Sequence, residues 1–319
     1  MANNLFDSLV SPIMTYNAEI TYLDSYISLF RAKKRAVSSG KEIDPFNFID
    51  KTPCENLHLA FCKYILGTRK NASNLATRVE VGRLPIEFFI KTQSLLYLAR
   101  LFTENINPLL RESFLLTQQL DISGTYSWYT YAKNIAVEAD IDLKRVEGIT
   151  DMKQIKTIKM YIKSKFKTYY ENLIAEKFIK IDDKSKLNLY KSLKQFESVS
   201  SEMYLSIQNF EYRKLITKLR ISDHNLLIEK GRHFKLPRDE RLCQKCKVVE
   251  DEKHFILHCS YNSDLRTEYF MFLNAHNNDF INYSEIKKTS IYIKPFTHLQ
   301  VNKLDSFIKK SLELRTGDS

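Results

Sequence analysis

The sequence predicts a mostly α-helical protein: a helical region, then a small zinc-knuckle-like module, then C-terminal helices. Three observations carry this. Gly and Pro number only 7 each in 319 residues, too few for the turns that sandwiches and barrels need. Apolar residues recur at three- and four-residue spacing along much of the chain. Three of the 5 cysteines fall between positions 243 and 259, with a histidine among them, which signals a metal site.

Residues 3–35 read as helix, broken or kinked near Pro12. The helix ends in the basic run Arg31, Lys33, Lys34, Arg35 and stops at Ser38-Ser39-Gly40. Residues 41–53 read as loop. Leu57, Phe61, Ile65 and Leu66 give Glu55 to Leu66 helical spacing, with Gly67 as its C-cap. Pro85 opens the next helix, with Phe88, Phe89, Leu95, Leu96 and Leu98 on its apolar face. Further helices are expected at 108–121 and 126–140. Asp151 caps the clearest one, whose stripe is Ile155, Ile158, Ile162, Phe166, Tyr169 and Leu173. Lys156, Lys159, Lys163 and Lys167 share another face of it, read as solvated rather than as a phosphate-tracking stripe. Helices are expected again at 184–197, 203–221, 261–276 and 300–314, with a short strand at Ser290 to Ile293. The pieces divide as 1–210, 211–270 and 271–319.

The composition is globular, with 44% hydrophobic and 27% charged residues. A formal net charge of +11 suits a polyanion partner, because Lys and Arg release the counterions condensed on phosphates. The cysteine count is odd and the spacing uneven, which argues against a secreted disulfide framework. Cys54 and Cys62 sit in an apolar helical pattern as core residues. The N-terminus has no charged lead-in and carries Asp7, unlike a signal peptide. Leu84 to Phe102 is the most apolar stretch, but Glu87, Lys91 and Arg100 interrupt it, so it does not read as a membrane span. Nucleus or cytoplasm is the expected compartment, and the sequons at Asn71 and Asn282 read as chance matches.

In the cysteine segment, Cys243 and Cys246 are separated by two residues, as on a tight turn. His254 and Cys259 lie about one helical turn apart. Three thiolates and one imidazole fill a tetrahedral zinc shell and leave no position for a reacting water, so one structural zinc per chain is expected. His258 is the alternative to His254, at the cost of cramped geometry beside Cys259. From Glu211 to Lys247 there are eleven basic residues against five acidic ones, a net of six positive charges. Arg213, Lys214, Lys218, Arg220, Lys230, Arg232, Arg238, Arg241, Lys245 and Lys247 are candidate phosphate contacts. His224 is a candidate stacking residue, with Tyr212, His233 and Phe234 interleaved. RNA or DNA is the expected partner, with a protein-docking zinc module as the rival. No catalytic constellation is visible, since P-loop, nucleophile-elbow and zinc-protease patterns are absent from the sequence. Asp182-Asp183 reads as a helix cap.

One resemblance covers roughly residues 4–270. The run Arg220, Ser222, His224, Leu226, Ile228, Glu229, Gly231, Arg232, then Pro237, Glu240-Arg241, the Cys243/Cys246 pair, Glu250-Asp251-Glu252, His254-Phe255 and Cys259 resembles the C-terminal zinc-binding region of non-LTR (LINE-like) retrotransposon reverse transcriptases. Leu5 to Tyr16 resembles the segment following the palm of those polymerases. Glu55 to His58, Phe61 to Lys63, Ile65 to Gly67 and Gly82 to Pro85 resemble the thumb and linker. The resemblance implies RNA-directed DNA synthesis, usually joined to an endonuclease. The palm motif, an aromatic and a small residue before two metal-holding aspartates, is absent here, as are fingers and endonuclease. No catalytic residue carries over. The implied role is to grip template RNA or target DNA, with the polymerase part of the same element as a further partner. The implied origin is the C-terminal piece of a longer polyprotein, whether a fragment, a decayed copy or an incomplete gene prediction.

Overall fold

The computed structural model describes residues 2–40, 44–104, 106–182, 185–194, 198–206, 209–276, 279–293 and 298–316. It is helical almost throughout. Among the described residues the strand-like pairing is one antiparallel bridge, Leu242 with Val249. Two compact units form, one from residues 1–58 and 84–176, the other from 59–83 and 177–319.

In the first unit the N-terminal helix widens to π-type turns at Phe6–Val10, just before Pro12, and breaks at Asn17. Pro12 sits in the first turn of helix Ser11–Met14, which continues directly from those turns. Asn17 has φ 53, a left-handed conformation that asparagine tolerates, and it leads into helix Ala18–Thr21. Helix Leu23–Ser38 follows. Within the expected loop 41–53 a single turn forms at Phe46–Ile49 and buries Phe46 and Ile49.

Helix Ile86–Leu101 is buried nearly all round, which accounts for its apolar sequence. No described helix is long and apolar enough to cross a membrane. Its interruptions are internal: the Lys91 ammonium lies 3.2 Å from Glu87 and 2.7 Å from Glu138. Burial disfavours the charged ammonium, but Glu138 and Glu87 outweigh it and hold its pKa well above the usual range. The hydroxyls of Tyr22, Tyr26 and Tyr170 donate to the same carboxylates. Each buried charge is therefore paired and hydrogen-bonded, the condition for tolerating it. Helices Pro108–Ile122 and Trp128–Glu138 form where expected. Asp151 caps a short turn that runs into helix Ile155–Ile179. The buried stripe of that helix is Ile158, Ile162, Phe166, Tyr170 and Ile174, one position later than expected in its second half. Lys156, Lys159, Lys163 and Lys167 are exposed.

In the second unit the expected boundaries at 210 and 270 fall inside one core. Leu193, Tyr204, Ile216, Phe255, Leu304 and Ile308 belong to a single buried cluster, so the metal segment and the C-terminal helix share their packing. The segment 59–83 joins this unit: Leu205 packs on Cys62, Leu66 and Val81. Helix Asn188–Leu193 is shorter than the expected 184–197; Asp183, half of the proposed cap, lies outside the described residues. Asn209 caps helix Phe210–Arg220 by accepting from Glu211 N–H at 3.0 Å. Helices Ser263–His276 and His298–Thr316 are present. The strand expected at 290–293 is instead the end of helix Glu285–Ile293. Burial of Tyr292 and Ile293 in the common core overrides the β-propensity of that short run.

Gly82 closes helix Asn74–Val81 with φ 73, and a Cβ there would lie 2.1 Å from the Ser201 backbone nitrogen. Gly82→Ala combines a strained φ with a backbone overlap and is expected to destabilise by about 2 kcal/mol. Urea unfolding measures this; an unchanged midpoint would refute the close approach of 200–202 to this helix end.

Candidate metal centre

The centre is built from two short segments. Leu242 and Val249 pair, Cys243 N–H donates to Val248 O at 2.8 Å, and Lys247 N–H donates to Cys243 O at 2.9 Å. Lys247 takes φ 56 to close the turn. This tight loop places Cys243 and Cys246 side by side. The second segment is one wide turn, His254–His258, closed by Cys259 N–H to His254 O at 2.8 Å. That bond links residues five apart, so His254 at the start and Cys259 at the end meet on one side.

One ligand atom from each of Cys243, Cys246, His254 and Cys259 lies within 4.8 Å of the other three. The Cys243 and Cys259 sulfurs are 3.9 Å apart. His254 Nε2 is buried and has no hydrogen-bond partner among the described residues, as a ligand nitrogen would be without its metal. Burial, with Arg315 nearby, depresses the His254 pKa and keeps the ring neutral. His258 is half-exposed and pairs through Nε2 with Glu285 at 3.1 Å. The geometry therefore selects His254. Four such donors can bind a metal ion and fit a closed shell.

The surroundings supply charge balance. Burial pushes the Cys259 thiol up to about 11, so its thiolate needs a cation. Cys246 moves the other way: desolvation raises it, but the Ser260 hydroxyl at 3.1 Å and amide at 3.3 Å outweigh this. Arg315 reaches in from the C-terminal helix, with Nη2 at 3.7 Å from Cys243 Sγ and 3.8 Å from Cys259 Sγ. The same guanidinium pairs with Glu250. Outer partners of this kind orient and tune metal ligands. Arg315 lies 56 residues from Cys259, and no local sequence signal announces it.

No family model, curated protein or solved structure matches this chain.

The candidate nucleic-acid residues separate into three groups. Lys230, Arg238, Lys245 and Lys247 are exposed, with Arg238 facing Asp251 at 3.5 Å and Lys245 over the Tyr261 ring at 4.9 Å. Arg213, Lys214, Lys218 and Arg232 are half-buried. Arg213 lies over Phe210 and Arg232 pairs with Glu229 at 3.0 Å; Lys214 pairs with Glu211 at 3.1 Å. The other three are corrections. Arg220 is 1% exposed and spends its donors on Glu80, Glu202 and the Ile293 carbonyl. His224 is buried: Nδ1 accepts from Leu226 N–H at 3.2 Å and Nε2 donates to Glu252 at 2.8 Å, so it cannot stack on a base. Arg241 donates to the Leu236 and Ile228 carbonyls and packs over Gly231, where a Cβ would lie 2.7 Å from it. These three cations and rings build the fold rather than its surface.

Proposed function

We propose that this chain is a nucleic-acid-binding segment of a non-LTR-type reverse transcriptase, organised by one structural zinc ion and acting by binding rather than by chemistry. The observation that carries the reading is the turn holding Cys243 and Cys246. It is the metal-ligand turn, and it also carries exposed Lys245 and Lys247. A rigid metal-bound turn presents these cations with little entropy left to lose, which favours contact with phosphates. Three sulfur donors and one nitrogen favour zinc over harder cations. The resemblance of residues 220–259 to the zinc-binding region of those polymerases supports the same reading.

Binding of fluorescein-labelled RNA and DNA oligonucleotides, followed by anisotropy between 50 and 200 mM salt, tests it. With about four phosphate contacts on a single strand, affinity should fall about fifty-fold across that range. Affinity that is flat with salt would sink the proposal, as would full binding by a Lys245→Gln/Lys247→Gln variant.

A further inference from the structure

A cleft of about 540 Å³ opens within the second unit. It falls within the range of about 300–1,000 Å³ typical of sites for small organic groups. Its apolar lining comes from Leu215 and Leu219 of helix Phe210–Arg220, Ile308 and Leu312 of the C-terminal helix, and Phe255 beside the metal ligands. Tyr261 also lines it. Arg69, Lys218 and Lys230 line it from three separate segments.

The acids in the lining are already engaged. Asp223 accepts from Arg69 N–H at 2.8 Å and faces its Nε at 3.7 Å. Glu250 accepts from Leu227 N–H at 2.6 Å and pairs with Arg315. His224 is held by hydrogen bonds to Glu252 and to the Leu226 N–H. Lys218 and Lys230 have no ion pair among the described residues. Lys218 is half-buried, and burial together with Lys214 and Arg69 lowers its pKa although Asp223 opposes them. The site thus combines a broad apolar floor with cations that lack a counterion. A fatty acid would use the floor and one cation; inorganic phosphate would use the cations and leave the floor bare. A nucleotide uses both.

We propose that this cleft receives one unstacked nucleotide of a single-stranded nucleic acid, its base on the apolar floor and its flanking phosphates on Lys218 and Lys230. This rests on the nucleic-acid reading above and goes beyond it, because it names the strand form and the place of binding. A paired, stacked base cannot enter such a cleft, so duplex is disfavoured.

The test uses the zinc-loaded full chain and fluorescein-labelled 12-nucleotide oligouridine and oligothymidine, with a duplex of equal length as comparison. Lys218→Gln/Lys230→Gln should weaken single-strand binding about ten-fold or more, with zinc content and melting temperature unchanged. A control, Lys159→Gln/Lys163→Gln, removes the same charge from an exposed face of the first unit and should change affinity less than about two-fold. Oligouridine carrying 4-thiouridine should photocross-link to the peptide that contains Phe255 and Tyr261. Equal losses in both variants, or tighter binding of duplex than of single strand, would overturn the cleft while leaving nucleic-acid binding intact. Failure of the unmodified chain to bind any oligonucleotide at low salt would overturn both.

Discussion

Replacing Cys259 by Ser is expected to abolish stoichiometric zinc binding and to cost the second unit on the order of 5 kcal/mol of stability. Cys259 is fully buried and its sulfur sits 3.9 Å from that of Cys243. The residues between the ligands, Phe255, Ile256 and Leu257, belong to the main buried cluster of the unit. Metal loss therefore acts on that cluster and not only on a surface turn. Isolated zinc fingers gain about 10–16 kcal/mol from the metal because nothing else folds them. Here a larger core shares the task, so the loss should be smaller but still severe. Arg315 links the site to the C-terminal helix, so metal removal should also loosen that helix, seen as faster amide exchange over 298–316. Zinc analysis and thermal melting check the main effect. His258→Ala is the paired control: half-exposed and bound to Glu285, it should keep its zinc and lose less than about 1 kcal/mol. Full zinc retention by Cys259→Ser, or zinc loss in His258→Ala, would refute the ligand assignment.

The candidate metal cluster was legible in the sequence because its geometry is local. A two-residue spacer and a turn of five residues set each pair of side chains within its own short segment. The helices were legible for the same reason, since three- and four-residue periodicity is written along one segment. What stayed hidden depends on partners far away in sequence. Arg220 and Lys245 look alike in a list of basic residues, but one is a buried counterion and the other lies at the surface. The difference is Glu80, 140 residues upstream. Counting charge between 211 and 247 therefore overstated the cationic surface, because Arg220 and Arg241 are used internally. The stripe on helix Ile155–Ile179 drifted for a related reason. Ile155, Tyr169 and Leu173 fit the periodicity, but the pairing of Tyr170 with Glu87 at 2.9 Å draws the buried face one residue further along. The helix at 285–293 was missed because a four-residue run cannot outweigh the core that encloses it.

Glu80 and Arg220 also give the second large prediction. Glu80 is fully buried, accepts from the Tyr190 hydroxyl at 2.8 Å and the Tyr204 hydroxyl at 2.7 Å, and pairs with Arg220. Arg220 adds the Ile293 carbonyl at 3.2 Å and Glu202 at 3.1 Å. This network ties helix Asn74–Val81 to helix Phe210–Arg220 and to the end of helix Glu285–Ile293. Glu80→Ala leaves a guanidinium buried with only part of its compensation and strips two tyrosines of their acceptor. A loss of about 3–5 kcal/mol is expected, as for other buried pairs broken on one side. Arg220→Ala should cost a similar amount, because the carboxylate is then the stranded group. The double variant Glu80→Leu/Arg220→Met removes both charges and keeps the volume. It should be clearly more stable than either single variant, since neither charge is left to be desolvated alone. Urea unfolding of the unmodified chain, Glu80→Leu, Arg220→Met and the double variant closes the cycle. If the double variant loses the sum of the two single losses, the pair contributes no coupling and the network does not hold these segments together. If Arg220 were a surface contact for nucleic acid instead, Arg220→Ala would leave stability within about 0.5 kcal/mol of the unmodified chain and weaken only binding.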